Sequence, residues 1–134
     1  MKDDLLEENV RKSPLAIRDT RLTAVPNPYP DRDYVVEITL PEFTCTCPMT
    51  GYPDFATIHV RYGPDRSIIE LKSLKLYINR YRDESHYHEA VVNRILDDLV
   101  ACITPRWMEL VGDFNPRGNV KTVVKVEYRK DSKA

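Results

Sequence analysis

The chain has 134 residues, enough for one domain with a real core and too few for a separate cofactor domain beside a substrate domain. Lys and Arg number 20 against 21 Asp and Glu, and the net charge of -1 supplies no field that would draw the protein onto nucleic acid or a lipid surface. No run of about eighteen apolar residues occurs, Met1 to Arg11 is charged rather than leader-like, and three cysteines are too few for a secreted disulfide scaffold, so a cytosolic protein with reduced thiols is expected.

In chain order, residues 1–33 combine many charges with the cluster Pro26-Asn27-Pro28-Tyr29-Pro30, which removes backbone donors and disfavours helix. An N-terminal arm over 1–33, a single domain over 34–129 and a tail over 130–134 are expected. Tyr34 to Leu40 and Phe55 to Tyr62 are rich in β-branched and apolar residues and read as strands. From Leu71 the period changes: Leu71, Leu74, Ile78 and Tyr81 fall on one helical face. A longer helix follows, with Ser85 as its expected cap, Glu89 in the first turn and an apolar stripe from Val91 to Ile103, up to the break at Pro105. Trp107 to Phe114 and Val120 to Tyr128 read as two further strands around a turn containing Asn115-Pro116-Arg117-Gly118-Asn119. The order strand, strand, helix, helix, strand, strand predicts an α+β fold: a four-stranded antiparallel sheet with two helices on one face. Its two edges would be removed if several copies closed into a ring.

Two segments carry candidate chemistry. In Cys47-Pro48-Met49-Thr50-Gly51-Tyr52-Pro53-Asp54-Phe55, an extended chain would separate thiol and carboxyl by roughly 23 Å, at about 3.3 Å per residue. Pro48, Gly51 and Pro53 supply turn chemistry that can fold the segment back and bring a nucleophile to an acid. A cysteine beside a proline is also an ordinary small packed side chain. Cys45 and Cys47 lack a second Cys/His pair at zinc-binding spacing, and no metal site is expected. In Glu70-Leu71-Lys72-Ser73-Leu74-Lys75-Leu76-Tyr77, a helix would align Lys72, Lys75, Asn79 and Arg82 as a basic stripe suited to phosphates, or simply solvated. No GxGxxG occurs and there are only four glycines, so a Rossmann domain is excluded.

Together these motifs resemble those of the QueF family, NADPH-dependent 7-cyano-7-deazaguanine reductases, in the short single-domain form. The resemblance covers most of residues 31–129. It implies the tunnelling fold, with subunits closing into a barrel as a homodecamer of two pentamers and sites between subunits. It makes Cys47 the nucleophile toward the nitrile carbon, Asp54 the acid, and places His88 beside the reacting carbon. Glu89 would anchor the deazaguanine, with Glu70 and Leu71 also at the substrate. Lys72, Ser73 and Lys75 would form the NADPH signature, and Arg117 a further cofactor contact. The rivals are a QueF-like amidinotransferase of archaeosine formation, whose kind lacks the intact lysine signature, and a non-redox purine-binding oligomer.

Overall fold

A computed structural model describes residues 21–131. In chain order they form β1 (Ala24–Pro26), β2 (Val36–Thr46), β3 (Pro53–Gly63), β4 (Ser67–Ile69), α1 (Leu71–Asn79), a 3₁₀ turn (Arg80–Asp83), α2 (His88–Ile103), β5 (Trp107–Phe114) and β6 (Val123–Arg129). The main sheet is antiparallel in the order β2-β3-β5-β6, and β1 pairs with β4 in a separate two-stranded sheet. The expected sheet with two helices on one face is present.

Alternation decides which face is covered. On β3, Ala56, Ile58, Val60 and Tyr62 are buried while Phe55, His59 and Arg61 are exposed, and β5 buries Met108, Leu110 and Phe114 on the same side. Against that side α2 lays Val91, Ile95, Leu99 and Ile103, and α1 adds Leu74, Tyr77 and Ile78. The opposite face is charged: Arg61 bonds Glu37 at 2.9 Å and Glu109 at 3.1 Å, and Arg129 bonds Glu109 at 3.3 Å. Arg61 and Arg129 also lie over the Trp107 ring.

Several boundaries differ from the sequence reading, each for a physical reason. β2 runs on past Leu40 to Thr46, because its register shifts between Leu40 and Phe43 and an edge strand accommodates Pro41 at such a bulge. The first helix stops at Asn79 rather than Arg82 and finishes as the 3₁₀ turn, since Glu84 must extend to pair with Thr46. Leu71 is not on its apolar face but 62% exposed at the first helical position. Ser85 does not cap α2: it bridges to Thr46, hydroxyl to hydroxyl at 2.7 Å, and the helix begins only after Tyr87. β6 starts at Val123, because Gly118 and Asn119 at positive φ and the Arg117–Val120 bridge consume the residues before it.

The short sheet was not visible in the sequence. Within the stretch read as an arm, Asn27 is buried and ties the prolines down: its backbone donates to Arg66 O at 2.9 Å and its side chain to Asp65 O at 2.7 Å. Its Oδ1 accepts from Tyr29 N and the Tyr34 hydroxyl.

Candidate active site

The β2–β3 hairpin brings cysteine and carboxyl together. Cys45 lies opposite Asp54 and Thr46 opposite Pro53, after which Cys47 N donates to Tyr52 O and Gly51 N to Cys47 O, both at 2.8 Å. Gly51 closes this loop at φ 74°, a conformation glycine adopts without a Cβ penalty. The two thiols diverge in character. Hydrogen bonds from the Thr50 side chain, then from the Thr50 and Met49 backbone, hold the half-buried Cys47 thiol below its ordinary pKa. Burial pushes Cys45 up to about 12, with the Asp54 charge adding to it.

Asp54 is 6% exposed, and both of its carboxyl oxygens are engaged. Oδ2 is 3.2 Å from His88 Nε2, and Oδ1 is 3.3 Å from Arg117 Nη1, which also donates to Pro53 O. His88 opens α2, and its ring stacks on Phe114 at 3.8 Å with 3° between planes. The Arg117 guanidinium lies 5.8 Å from the Tyr52 ring centroid. Thus the β2–β3 loop, β3, α2 and the β5–β6 turn each supply one group. Glu89, next to His88, is exposed in the first turn of α2.

The second motif opens α1, away from this cluster. Glu70 is the cap residue, its carboxylate accepting from Ser73 N at 2.5 Å and Lys72 N at 3.2 Å, which hold the carboxyl below its usual range. Ser73 is buried; its hydroxyl donates to Glu70 O and accepts from Thr23 N. Lys72 and Lys75 are exposed. Ile69 N donates to the Tyr62 hydroxyl, and the eight residues from Asp54 to Tyr62 along β3 span roughly 26 Å at about 3.3 Å each. Within one chain the lysines and Cys47 are therefore not brought together, whereas Cys47, Asp54, His88 and Arg117 are.

Sequence reasoning missed Thr50 and Phe114, which act on Cys47 and His88 through the fold. Thr50 could have been found as a hydroxyl three residues past the thiol in a Pro/Gly turn, whereas Phe114 gave no signal beyond strand periodicity. Among the described residues no group of three or more His, Cys, Asp or Glu is arranged to hold a metal ion, and no helix is long and apolar enough to cross a membrane.

Fold and site define an α+β domain with a thiol held below its ordinary pKa by hydrogen bonds, near a buried carboxyl and a histidine, a layout suited to attack on an electrophilic carbon. A family model described as QueF-like protein matches residues 53–133, and the chain belongs to the QueF family. It is 59% identical over 115 residues to an NADPH-dependent 7-cyano-7-deazaguanine reductase of Synechocystis sp., covering 86% of this chain and 84% of that one. Against the protein of the same name from Aquifex aeolicus it is 57% identical over 112 residues, covering 84% and 87%. Among solved structures, the apo form of the archaeosine synthase QueF-Like matches with a TM-score of 0.67 at 18% identity, covering 74% of this chain and 96% of that one, a likeness of fold.

Proposed function

We propose that this protein is an NADPH-dependent nitrile reductase that converts 7-cyano-7-deazaguanine into 7-aminomethyl-7-deazaguanine, the step that serves queuosine tRNA modification. The carrying observation is the Cys47–Asp54–His88 cluster in a chain 59% identical to a relative bearing that name. The archaeosine synthase shares the fold at only 18% identity. The presence of Lys72 and Lys75 as exposed cations on α1 also favours a phosphate-bearing cofactor over ammonia.

In this reading the Cys47 sulfur bonds to the nitrile carbon while nitrogen takes a proton from Asp54, giving a thioimide in which the thiol hydrogen has moved, net, to nitrogen. A linear nitrile thereby becomes a trigonal carbon able to accept hydride. Bound NADPH supplies hydride, once to the thioimide and once to the imine left after sulfur departs. His88 orients Asp54 through Oδ2 and stands beside the reacting carbon. Glu89 accepts from the N–H edge of the deazaguanine, and Glu70 and Leu71 contribute from the start of α1. Lys72 and Lys75 hold the cofactor phosphates, with Arg117 as a further contact. The buried hydroxyl of Ser73 fixes the helix start that presents the lysines.

The separation of the two motifs supports a composite site, in which α1 of one copy faces Cys47 of its neighbour. Among the described residues no strand pairs with the outer edge of β2 or of β6, which suits a tunnelling-fold barrel of two stacked pentamers. Free cysteines and NADPH chemistry suit a reducing cytosol. The test is the number of NADPH oxidised per nitrile consumed by purified protein: about two is expected for four electrons delivered as hydrides. Nitrile binding with no NADPH oxidation would overturn the reading in favour of the amidinotransferase or a non-redox binder.

A further inference from the structure

Lys72 and Lys75 can grip a phosphate-bearing molecule only if α1 stands still beneath them, and a helix of nine residues is too short to be stable by itself. Its start is fixed by the Glu70 cap and by the bond from Thr23 N to the Ser73 hydroxyl. Its far half is held differently. The backbones of α1 and α2 hardly approach one another, so long side chains must span the gap. Tyr77 of α1 meets Asp98 of α2: the phenol oxygen lies 2.5 Å from Asp98 Oδ2 and 2.6 Å from the Tyr81 hydroxyl. A carboxylate only accepts, so Tyr77 donates its one hydrogen to Asp98 and its oxygen accepts from Tyr81. The Tyr81 ring stands edge-on to that of Tyr77 at 5.4 Å, and the Arg80 guanidinium lies over the Tyr77 ring at 4.8 Å. Both tyrosines are buried and Asp98 is half-buried. The apolar contacts of Leu74 and Ile78 have no preferred direction, whereas this hydrogen-bonded chain sets where along α2 the short helix rests.

We infer that Asp98 is a positioning residue for cofactor binding: through Tyr77 and Tyr81 it fixes α1 against α2, so that Lys72 and Lys75 are presented to the cofactor phosphates in one setting. This rests on the nitrile reductase reading and deepens it with a residue outside both motifs. Phenylalanine at 77 and leucine at 98 would bury as much apolar surface; what the polar chain adds is a fixed position of one helix on the other. Asp98 follows His88 by ten residues of α2, about 15 Å at 1.5 Å per residue, and so stands clear of the Cys47–Asp54–His88 cluster. Disturbing it should loosen the cofactor and leave the thiol's reaction with the nitrile as it was.

The experiment uses the purified full chain and measures NADP+ affinity by calorimetry, KM for NADPH and kcat, and the rate of covalent adduct formation on Cys47 with 7-cyano-7-deazaguanine by intact mass. Asp98→Ala and Tyr77→Phe should each weaken NADP+ binding and raise KM for NADPH about tenfold, the scale of one hydrogen bond to a charged group. In both, kcat at saturating NADPH and the adduct rate should stay within about twofold of wild type, a split that loss of folded protein does not produce. Asp98→Asn keeps an acceptor oxygen and should bring KM back to within about threefold of wild type. If Asp98→Ala does not fold, Tyr77→Phe decides the matter, because it keeps the ring and its packing. A residue that served stability alone would lower the urea midpoint and leave NADP+ affinity unchanged, and that result would overturn the inference. An equal loss of the adduct rate, or an Asp98→Asn no better than Asp98→Ala, would overturn it too. A wild type that binds no NADP+ would instead remove the nitrile reductase reading, and the inference with it, so the two failures are distinguishable.

Discussion

The difference between Cys47 and Cys45 lies in what their sulfur atoms meet. Donors from Thr50 and Met49 favour the thiolate of Cys47, whereas burial keeps Cys45 protonated, pushed up to about 12. Alkylation followed by mass spectrometry across pH should give Cys47 a midpoint below that of an ordinary thiol and leave Cys45 unlabelled in the native protein. Thr50→Val removes the largest of those donors, so the Cys47 midpoint should move up while the fold persists. Cys47→Ala should form no covalent adduct with the nitrile, and an adduct surviving that change would reassign the nucleophile.

At the scale of elements, the site is held by the ends of β2 and α2. Thr46 N donates to Glu84 O and His86 N to Thr46 O, so the segment leading into His88 is laced to the residue before Cys47. Beneath, Gly112 lets α2 approach the sheet: a Cβ there would collide with Val92 Cγ2 and press on Phe114 Cε2 at 3.1 Å. Gly112→Ala should therefore lower stability by about 1–3 kcal/mol, read from the urea midpoint. The α1 cap is pH-dependent in a known sense. The Glu70 carboxyl lies below its usual range in the folded protein, so its contribution is full above the ordinary carboxylate pKa and is lost as pH falls through the depressed value. Glu70→Gln should remove that part of the acid sensitivity of unfolding.

For the whole molecule, the proposed composite site would make the assembly part of the chemistry, because the lysines stand apart from Cys47 within one chain. Lys72→Ala with Lys75→Ala should weaken NADPH binding about tenfold or more while leaving nitrile binding within about twofold, as measured by calorimetry. Equal losses for both ligands would mean a damaged fold. If the site is composite, co-assembling Cys47→Ala subunits with the double lysine variant should restore activity, to about one quarter of wild type for random mixing in a ring. A site contained in one chain would stay silent in the same mixture.

Much of this was legible in residues. The alternation of Ala56, Ile58 and Val60 and the steps of three and four from Val91 to Ile103 identify strand and helix, because burial on one face imposes a period that sequence records directly. The motifs around Cys47 and Lys72 imply a thiol nucleophile and a phosphate-bearing cofactor through their resemblance to the QueF family, since spacing alone fits a packed cysteine and a solvated basic face equally. What sequence could not carry were contacts between distant segments. The bulge that extends β2 through Pro41, the ring of Phe114 under His88 and the Thr46–Ser85 bridge each depend on which strands and helices become neighbours. The meeting of Arg117 with Asp54, 63 residues apart in the chain, is decided in the same way, by the pairing of β3 with β5 and the turn that follows, so only the tertiary structure reveals that a cation stands on this buried carboxyl.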